Sequence, residues 1–165
     1  MYKGPNKVIH FTDGVSVLAL ERRNGTVLPC FLDTVDYPAI SNLRWVVRSG
    51  YAALKRHLYL HTLLTGCSQT DHHDLCRLNN RRNNLRPANN SQNMANSPLS
   101  KRNTSGFKGV RRTRSKWRAD IRQEGVKKFL GSFSNPVSAA RAYDVAAVQV
   151  FGEFARLNFP LDKGE

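Results

Sequence analysis

Residues 107–152 read FKGVRRTRSKWRADIRQEGVKKFLGSFSNPVSAARAYDVAAVQVFG, and they decide the fold of the C-terminal part. Three runs of strand formers, FKGVRRT (107–113), KWRADIRQ (116–123) and VKKFLGSF (126–133), are separated by Arg114-Ser115 and Glu124-Gly125. Two-residue connections of this kind predict an antiparallel meander. In the second run Trp117, Ala119 and Ile121 alternate with Arg118, Asp120 and Arg122, so a period of two puts apolar groups on one face and mostly cations on the other. Ser134-Asn135-Pro136 then supplies a helix N-cap with proline in the first turn, and Val137, Ala140, Tyr143, Ala147 and Val150 recur at helical spacing up to Gly152. The expected unit is a three-stranded antiparallel sheet packed by its apolar face on one helix.

The other face calls for phosphate. A small basic sheet is wide enough to enter the DNA major groove, where arginine can donate two hydrogen bonds to guanine; a solvated basic surface is the bland alternative. The whole chain leans the same way, with 26 Lys+Arg against 12 Asp+Glu in 165 residues, a formal charge of +14 and a pI near 10.4. Residues 101–165 are the most basic, with fourteen cationic and six acidic side chains. At 40% hydrophobic residues the chain can bury cores, which excludes a disordered basic tail. No apolar run of about 18 residues is present, so no membrane partner is expected. Cys30, Cys67 and Cys76 form no CxxC pair and fit a reducing, cytoplasmic setting better than a disulfide framework. SPLSKRNTSG (97–106) holds a single large apolar residue, Leu99, and residues 98–106 read as a linker.

The C-terminal stretch resembles the Apetala-two/ethylene-response-factor (ERF) DNA-binding domain over about residues 104–160. The resemblance lies in Lys108-Gly109-Val110-Arg111, Lys116-Trp117, Phe129-Leu130-Gly131-Ser132-Phe133, Ala139-Ala140-Arg141-Ala142-Tyr143-Asp144 and Leu157-Asn158-Phe159-Pro160. It implies contact with double-stranded DNA through Arg111, Arg112, Arg114, Trp117, Arg118, Asp120, Arg122 and Lys127. Phe129 departs from the pattern, since plant members usually carry Trp there.

The middle of the chain carries the chemistry. In TDHHDLCRLNNRRNNLRPANNSQNMAN (70–96), Asp71 is a hard oxygen donor beside His72, an imidazole able to deprotonate water near neutral pH. Asn93 offers a second oxygen, and Asn84 is expected to hold His72 in the useful tautomer. An Asp-His pair in a loop is also commonly an N-cap or a surface pair, so spacing leaves both meanings open. His61, Cys67, His72, His73 and Cys76 include zinc-type ligands, but without a CxxC or HxxxH knuckle structural zinc is not expected, and Cys67 and Cys76 read as ordinary small buried residues.

The same stretch resembles the HNH motif of phage and bacterial homing endonucleases. The match spans Gly50-Tyr51-Ala52, Tyr59-Leu60-His61, Asp71-His72, Leu78-Asn79-Asn80-Arg81-Arg82, Asn84-Leu85-Arg86 and Gln92-Asn93. It departs at Thr62, where Arg usually follows the histidine, and at His73-Asp74-Leu75-Cys76. The resemblance implies a ββα-metal finger in which Asp71 and Asn93 hold Mg²⁺ or Mn²⁺ and His72 activates water, each site cutting one strand.

Residues 1–54 read as scaffold: Val15–Leu20 as a strand, Asn24-Gly25 as a turn, Trp45-Val46-Val47 and Tyr51–Leu54 as short strands. Lys55, Arg56 and His57 could touch backbone phosphate or form a solvated basic edge. The expected organisation is α+β: scaffold (1–54), nuclease finger (55–97), linker (98–106) and DNA-binding domain (107–160). The expected activity is that of a DNA endonuclease, monomeric or homodimeric. A non-catalytic DNA-binding regulator with a degenerate finger is the alternative, and an RNA-binding protein a more distant one.

Overall fold

Local pairing dominates the architecture, because nearly every strand is joined to its neighbour by a short turn. The computed structural model describes residues 4–22, 24–55 and 58–160, leaving aside the side chain of Lys55. Arg56, His57 and that side chain, the basic edge named above, lie outside the described residues. The protein is α+β and divides into two compact units, Met1–Pro87 and Ala88–Glu165. The stretch 98–106 lies inside the second unit.

In the first unit, β1 (Val8–His10), β2 (Val15–Glu21) and β3 (Val27–Asp33) form an antiparallel sheet in that order. One face carries Leu18, Leu20, Cys30 and Leu32 into a core completed by Ile40, Trp45, Ala52 and Leu60. Pro29 is tolerated because β3 is an edge strand of this sheet. A second meander follows, β4 (Val46–Arg48), β5 (Tyr51–Lys55) and β6 (Leu58–Tyr59), running into the short helix α1 (Leu60–Thr65), which Gly66 closes in the left-handed conformation. Trp45 is fully buried just before β4, and the buried Asn6 fixes it there, accepting from its N–H (2.6 Å) and donating to its carbonyl (2.9 Å). A two-stranded pair ends the unit: β7 (Thr70–His72) and β8 (Leu85–Pro87), in the register Asp71↔Arg86 and His72↔Leu85.

The loop between these strands is fastened to β3. Phe31 N–H donates to the Leu78 carbonyl (2.8 Å) and Asn80 N–H to the Phe31 carbonyl (2.7 Å), forming a short parallel bridge along the β3 edge. This bridge buries Asn80 completely.

The second unit opens with α2 (Asn90–Asn96), which carries a capping box between Asn89 and Gln92. The expected meander is present as β9 (Val110–Thr113), β10 (Lys116–Gln123) and β11 (Val126–Phe133), with β10 in the centre. β10 and β11 coincide with the runs read from the sequence. β9 starts three residues later than its run, because Gly109 turns left-handed (φ +75°) just ahead of it. α3 (Pro136–Phe151) begins as expected, Asn135 accepting from Ser138 N–H (2.8 Å), and Gly152 follows its end. Ala119, Ile121 and Val110 face Ala139, Ala140, Tyr143 and Ala147 of α3 in the core. Asp144 and Asn158, two of the signature residues, lock the C-terminal strap: Asp144 accepts from Asn158 N–H and Phe159 N–H (both 2.9 Å), and Asn158 brackets the Lys108 peptide on both sides.

Candidate nuclease centre and basic sheet

The β7–β8 pair places Asp71 and His72 side by side, both buried. Across the register, Arg86 donates from Nε (2.9 Å) and Nη2 (2.7 Å) to Asp71 Oδ2, so a guanidinium fixes the carboxylate from one side. His72 Nε2 lies 3.4 Å from Asn80 Oδ1, and Asn80 Nδ2 points at Cys30 Sγ (3.3 Å), which orients the amide with its oxygen toward the imidazole. Burial pulls the His72 pKa below 6.5, against the opposing pull of the Asn80 hydrogen bond and the Asp74 and Asp71 charges. The ring is therefore neutral at pH 7.

Asn84 does not take the place expected for it. Its Oδ1 accepts from Asp74 N–H (3.0 Å), and its Nδ2 donates to Asp74 Oδ1 (2.9 Å) and the Asn79 carbonyl (2.8 Å). It braces the 73–84 loop, while Asn80 approaches His72. The bridge to β3 is the cause, since it fixes the Asn80 backbone next to Cys30. Asp74, at one of the departures from the HNH pattern, is the hub of this loop: it also accepts from Cys76 N–H (2.7 Å) and Asn79 Nδ2 (2.7 Å).

Aromatic rings wall the site. The His61 ring meets His72 edge-on at 5.2 Å and stacks on Tyr59 at 5.4 Å, and Tyr51 lies 5.2 Å from His61 and 5.8 Å from His72. Arg77 covers the Tyr51 ring at 4.6 Å. Burial, followed by the neighbouring His72, brings the His61 pKa down to about 4, and its buried Nδ1 has no hydrogen-bond partner among the described residues. Of the other zinc-type residues, His73 and Cys76 are exposed and Cys67 is half-buried; the buried thiol is Cys30, whose pKa burial pushes up to about 12. The expectation that Cys67 and Cys76 pack as buried residues is thereby corrected. Among the described residues no three His, Cys, Asp or Glu side chains gather into a metal-holding group. Asn93 lies on α2, in the second unit.

The sequence alone assigns no role to Asn80 or Arg86, and weighs His61 only among the zinc-type ligands that are not expected to hold zinc. Asn80 is one of eight asparagines between residues 79 and 96, and local spacing gives it no distinction from the rest.

In the second unit the face of the sheet away from α3 is organised by one carboxylate. Asp120 is buried on that face and accepts from Arg118 Nε (2.8 Å), Arg111 Nε (3.2 Å) and Lys127 Nζ (3.1 Å). Burial works to raise its pKa, but the three cations outweigh it and hold the carboxyl below its ordinary value. Arg122, paired with Lys127, and Arg114 in the turn are exposed. Between the pairs Ala119↔Gly131 and Asp120↔Phe129 the extra residue is Leu130 of β11, while β10 keeps its alternation, with Ala119 and Ile121 in the core and Asp120 on the opposite face. The Arg118 guanidinium lies 4.3 Å over the exposed Phe129 ring, so the departure at 129 still presents an aromatic platform. Trp117 is partly buried against the Val110–Ala140 cluster, and Arg112 covers its ring at 5.7 Å. These two belong to the rim rather than to the Asp120 array.

A buried carboxylate–imidazole pair in one unit and a cation-faced three-stranded sheet in the other define a protein equipped to meet a polyanion. No family model matches the chain. It is 29% identical over 166 residues to an uncharacterized HNH endonuclease of Acanthamoeba polyphaga mimivirus, covering 93% of this chain and 82% of that protein. It is 49% identical over 57 residues to an ethylene-responsive transcription factor of Arabidopsis thaliana and 47% identical over 57 residues to a dehydration-responsive element-binding protein of the same plant. Each match covers 33% of this chain, which spans 31% and 17% of those two plant proteins. Both parts of the resemblance are thus supported, the HNH endonuclease over most of the chain and the Apetala-two/ERF domain over a third of it. No described helix is long and apolar enough to cross a membrane.

Proposed function

We propose that the chain is a metal-dependent DNA endonuclease of the HNH homing type, held on double-stranded DNA by its C-terminal sheet. The observation that carries this is the buried Asp71–His72 pair, with a neutral imidazole whose Nε2 faces the Asn80 oxygen. An Nε2–H donated to Asn80 leaves the lone pair on Nδ1, and at that atom His72 takes the proton of the attacking water. Arg86 holds the Asp71 carboxylate by Oδ2, and a carboxylate has lone pairs enough to accept a cation beside such a pair. Asp71 is a hard oxygen donor, which fits Mg²⁺ or Mn²⁺. Asp71 would hold the ion, with Asn93 as the second protein oxygen that the resemblance implies. When bound, the ion would supply positive charge to the phosphate and the departing oxygen. The order β7, β8, α2 along the chain is that of a ββα-metal unit.

Arg111, Arg118, Arg122 and Lys127 would neutralise phosphates or reach base edges from the outer face of the sheet. One site cuts one strand, so a double-strand break would take two copies. The test is nicking of supercoiled plasmid with Mg²⁺, stopped by EDTA. His72→Ala should lower the rate about 10²–10⁴-fold while DNA binding persists. A chain that binds DNA without nicking it in Mg²⁺ or Mn²⁺ is instead the non-catalytic regulator.

A further inference from the structure

Helix α2 has seven residues, far below the length at which an isolated helix holds its shape in water. Its order must come from what it packs against, and within the second unit that is the DNA-binding fold. Ala88, just before the helix, and Ala95 on it are buried with Ile121 of β10, Tyr143, Ala147 and Phe151 of α3, and Phe154. Ser91 Oγ accepts from the N–H of Glu124, in the β10–β11 turn (3.2 Å), and the Ala95 carbonyl accepts from Arg156 N–H (3.4 Å).

The strongest tie is Lys108. Its ammonium donates to the carbonyls of Met94 (3.3 Å), Ala95 and Ser97 (2.8 Å). A helix end leaves such carbonyls without partners, and an ammonium has three protons to give. Lys108 shares the C-terminal end of α2 with Ser97, whose N–H (3.2 Å) and Oγ (2.6 Å) also donate to the Met94 carbonyl, and spends its whole donor capacity there. It stands at the head of the Lys108-Gly109-Val110-Arg111 signature, and its peptide is clamped by Asn158 through Lys108 N–H (2.6 Å) and the Lys108 carbonyl (3.1 Å). The side chain is therefore anchored at one end to the sheet-and-helix body and at the other to α2.

We propose that Lys108 is a positioning residue that makes α2 a constituent of the DNA-binding unit, so that Asn93 travels with the sheet that holds DNA. The inference rests on the reading of Asn93 as an oxygen ligand for its catalytic consequence, but not for the architecture. Target binding and delivery of a metal ligand then become properties of one folded unit. Residues 101–165 alone would lack α2 and uncover the cluster around Ile121, Tyr143 and Phe151.

Hydrogen exchange on the full chain tests the architecture without relying on activity. In the parent, the amides of Met94–Asn96 should be protected with those of Ala119–Ile121. Lys108→Met, which keeps an apolar stem and removes the donors, should speed exchange in α2 by about tenfold or more, the loss of charge-assisted bonds, and leave β10 within about threefold. DNA affinity should stay within about threefold, while the Mg²⁺ concentration needed for nicking rises about tenfold. Lys108→Arg, which retains donors, should recover part of both effects. If Lys108→Met fails to fold, Ser91→Ala replaces it, with a loss of α2 protection of about threefold. Unprotected α2 amides in the parent, or unchanged protection in the folded variant, would overturn the proposal. A parent that never nicks DNA would remove the nuclease reading while exchange still decides the place of α2.

Discussion

A methyl group added at Gly109 has nowhere to go. A Cβ there would lie 1.9 Å from Tyr143 Cδ2, 2.4 Å from Cε2 and 2.7 Å from Cγ, where carbon atoms ordinarily stand about 3.5–4 Å apart. The Tyr143 ring is buried in the cluster with Ala147 and Phe151, so relief requires the core to shift. Gly109 is also left-handed, at φ +75°. Overpacking costs about 1–3 kcal/mol, and a left-handed alanine about 1–2 kcal/mol more. Gly109→Ala should therefore destabilise the second unit by about 2–5 kcal/mol, a large part of what a domain of this size holds. One tryptophan lies in each unit, Trp45 in the first and Trp117 in the second. Urea titrations in Trp45→Phe and Trp117→Phe backgrounds, each against its own parent, report the units separately. The midpoint followed by Trp117 should fall while that followed by Trp45 holds. Tyr143→Ala should cost less in the Gly109→Ala chain than in the parent, because it removes the clash. A Gly109→Ala variant within about 0.5 kcal/mol of the parent, or strictly additive with Tyr143→Ala, would refute the reasoning.

Three further outcomes can be measured. His61 has a folded pKa of about 4 against 6.5 unfolded, so the unfolded chain binds the extra proton first; the stability this contributes is complete above about pH 6.5 and is lost as pH falls through about 4. The difference is on the order of 2–3 kcal/mol, and His61→Phe should flatten the pH dependence of first-unit unfolding over that window; an unchanged slope assigns it to other groups. Asn80→Ala removes the partner of His72 Nε2 and should lower nicking about tenfold or more, whereas Asn84→Ala should act chiefly on stability; equal activity losses from the two at matched stability would separate tautomer control from Asn80. Asp120→Asn frees Arg111, Arg118 and Lys127 from their shared carboxylate, so affinity for random-sequence DNA should rise and the salt slope steepen by up to about one, at the expense of sequence preference; a flat salt slope in competition binding contradicts the array.

What could be read from the sequence follows the range of the interactions responsible. β10, β11 and α3 are specified by alternation, turns and caps within a few residues, and their positions agree with the structure. The late start of β9 depends on Gly109, where Tyr143, a residue thirty-four positions away, leaves no room for a Cβ. Asp71 and His72 were identifiable by chemical type, but the group that orients His72 was not. Asn80 and Asn84 are equivalent as donors and acceptors, and what separates them is the pairing of Phe31 with the 78–80 loop, a contact nearly fifty residues apart in sequence.

The same logic explains the place of α2. Its sequence is mostly Asn, Ser and Gln, with no apolar stripe to announce a partner, and its core contributions, Ala88 and Ala95, are too small to stand out. Lys108 reads as one more cation in a basic signature, although its charge serves carbonyls of its own chain. A charge count along the sequence therefore overstates what faces a polyanion. Lys108 is turned inward, and Arg111, Arg118 and Lys127 share one carboxylate, whereas Arg122 and Arg114 have no acid partner among the described residues. A basic face organised around Asp120 holds its cations in fixed directions before any ligand arrives. That arrangement favours recognition of a particular backbone or base geometry over indiscriminate attraction to charge.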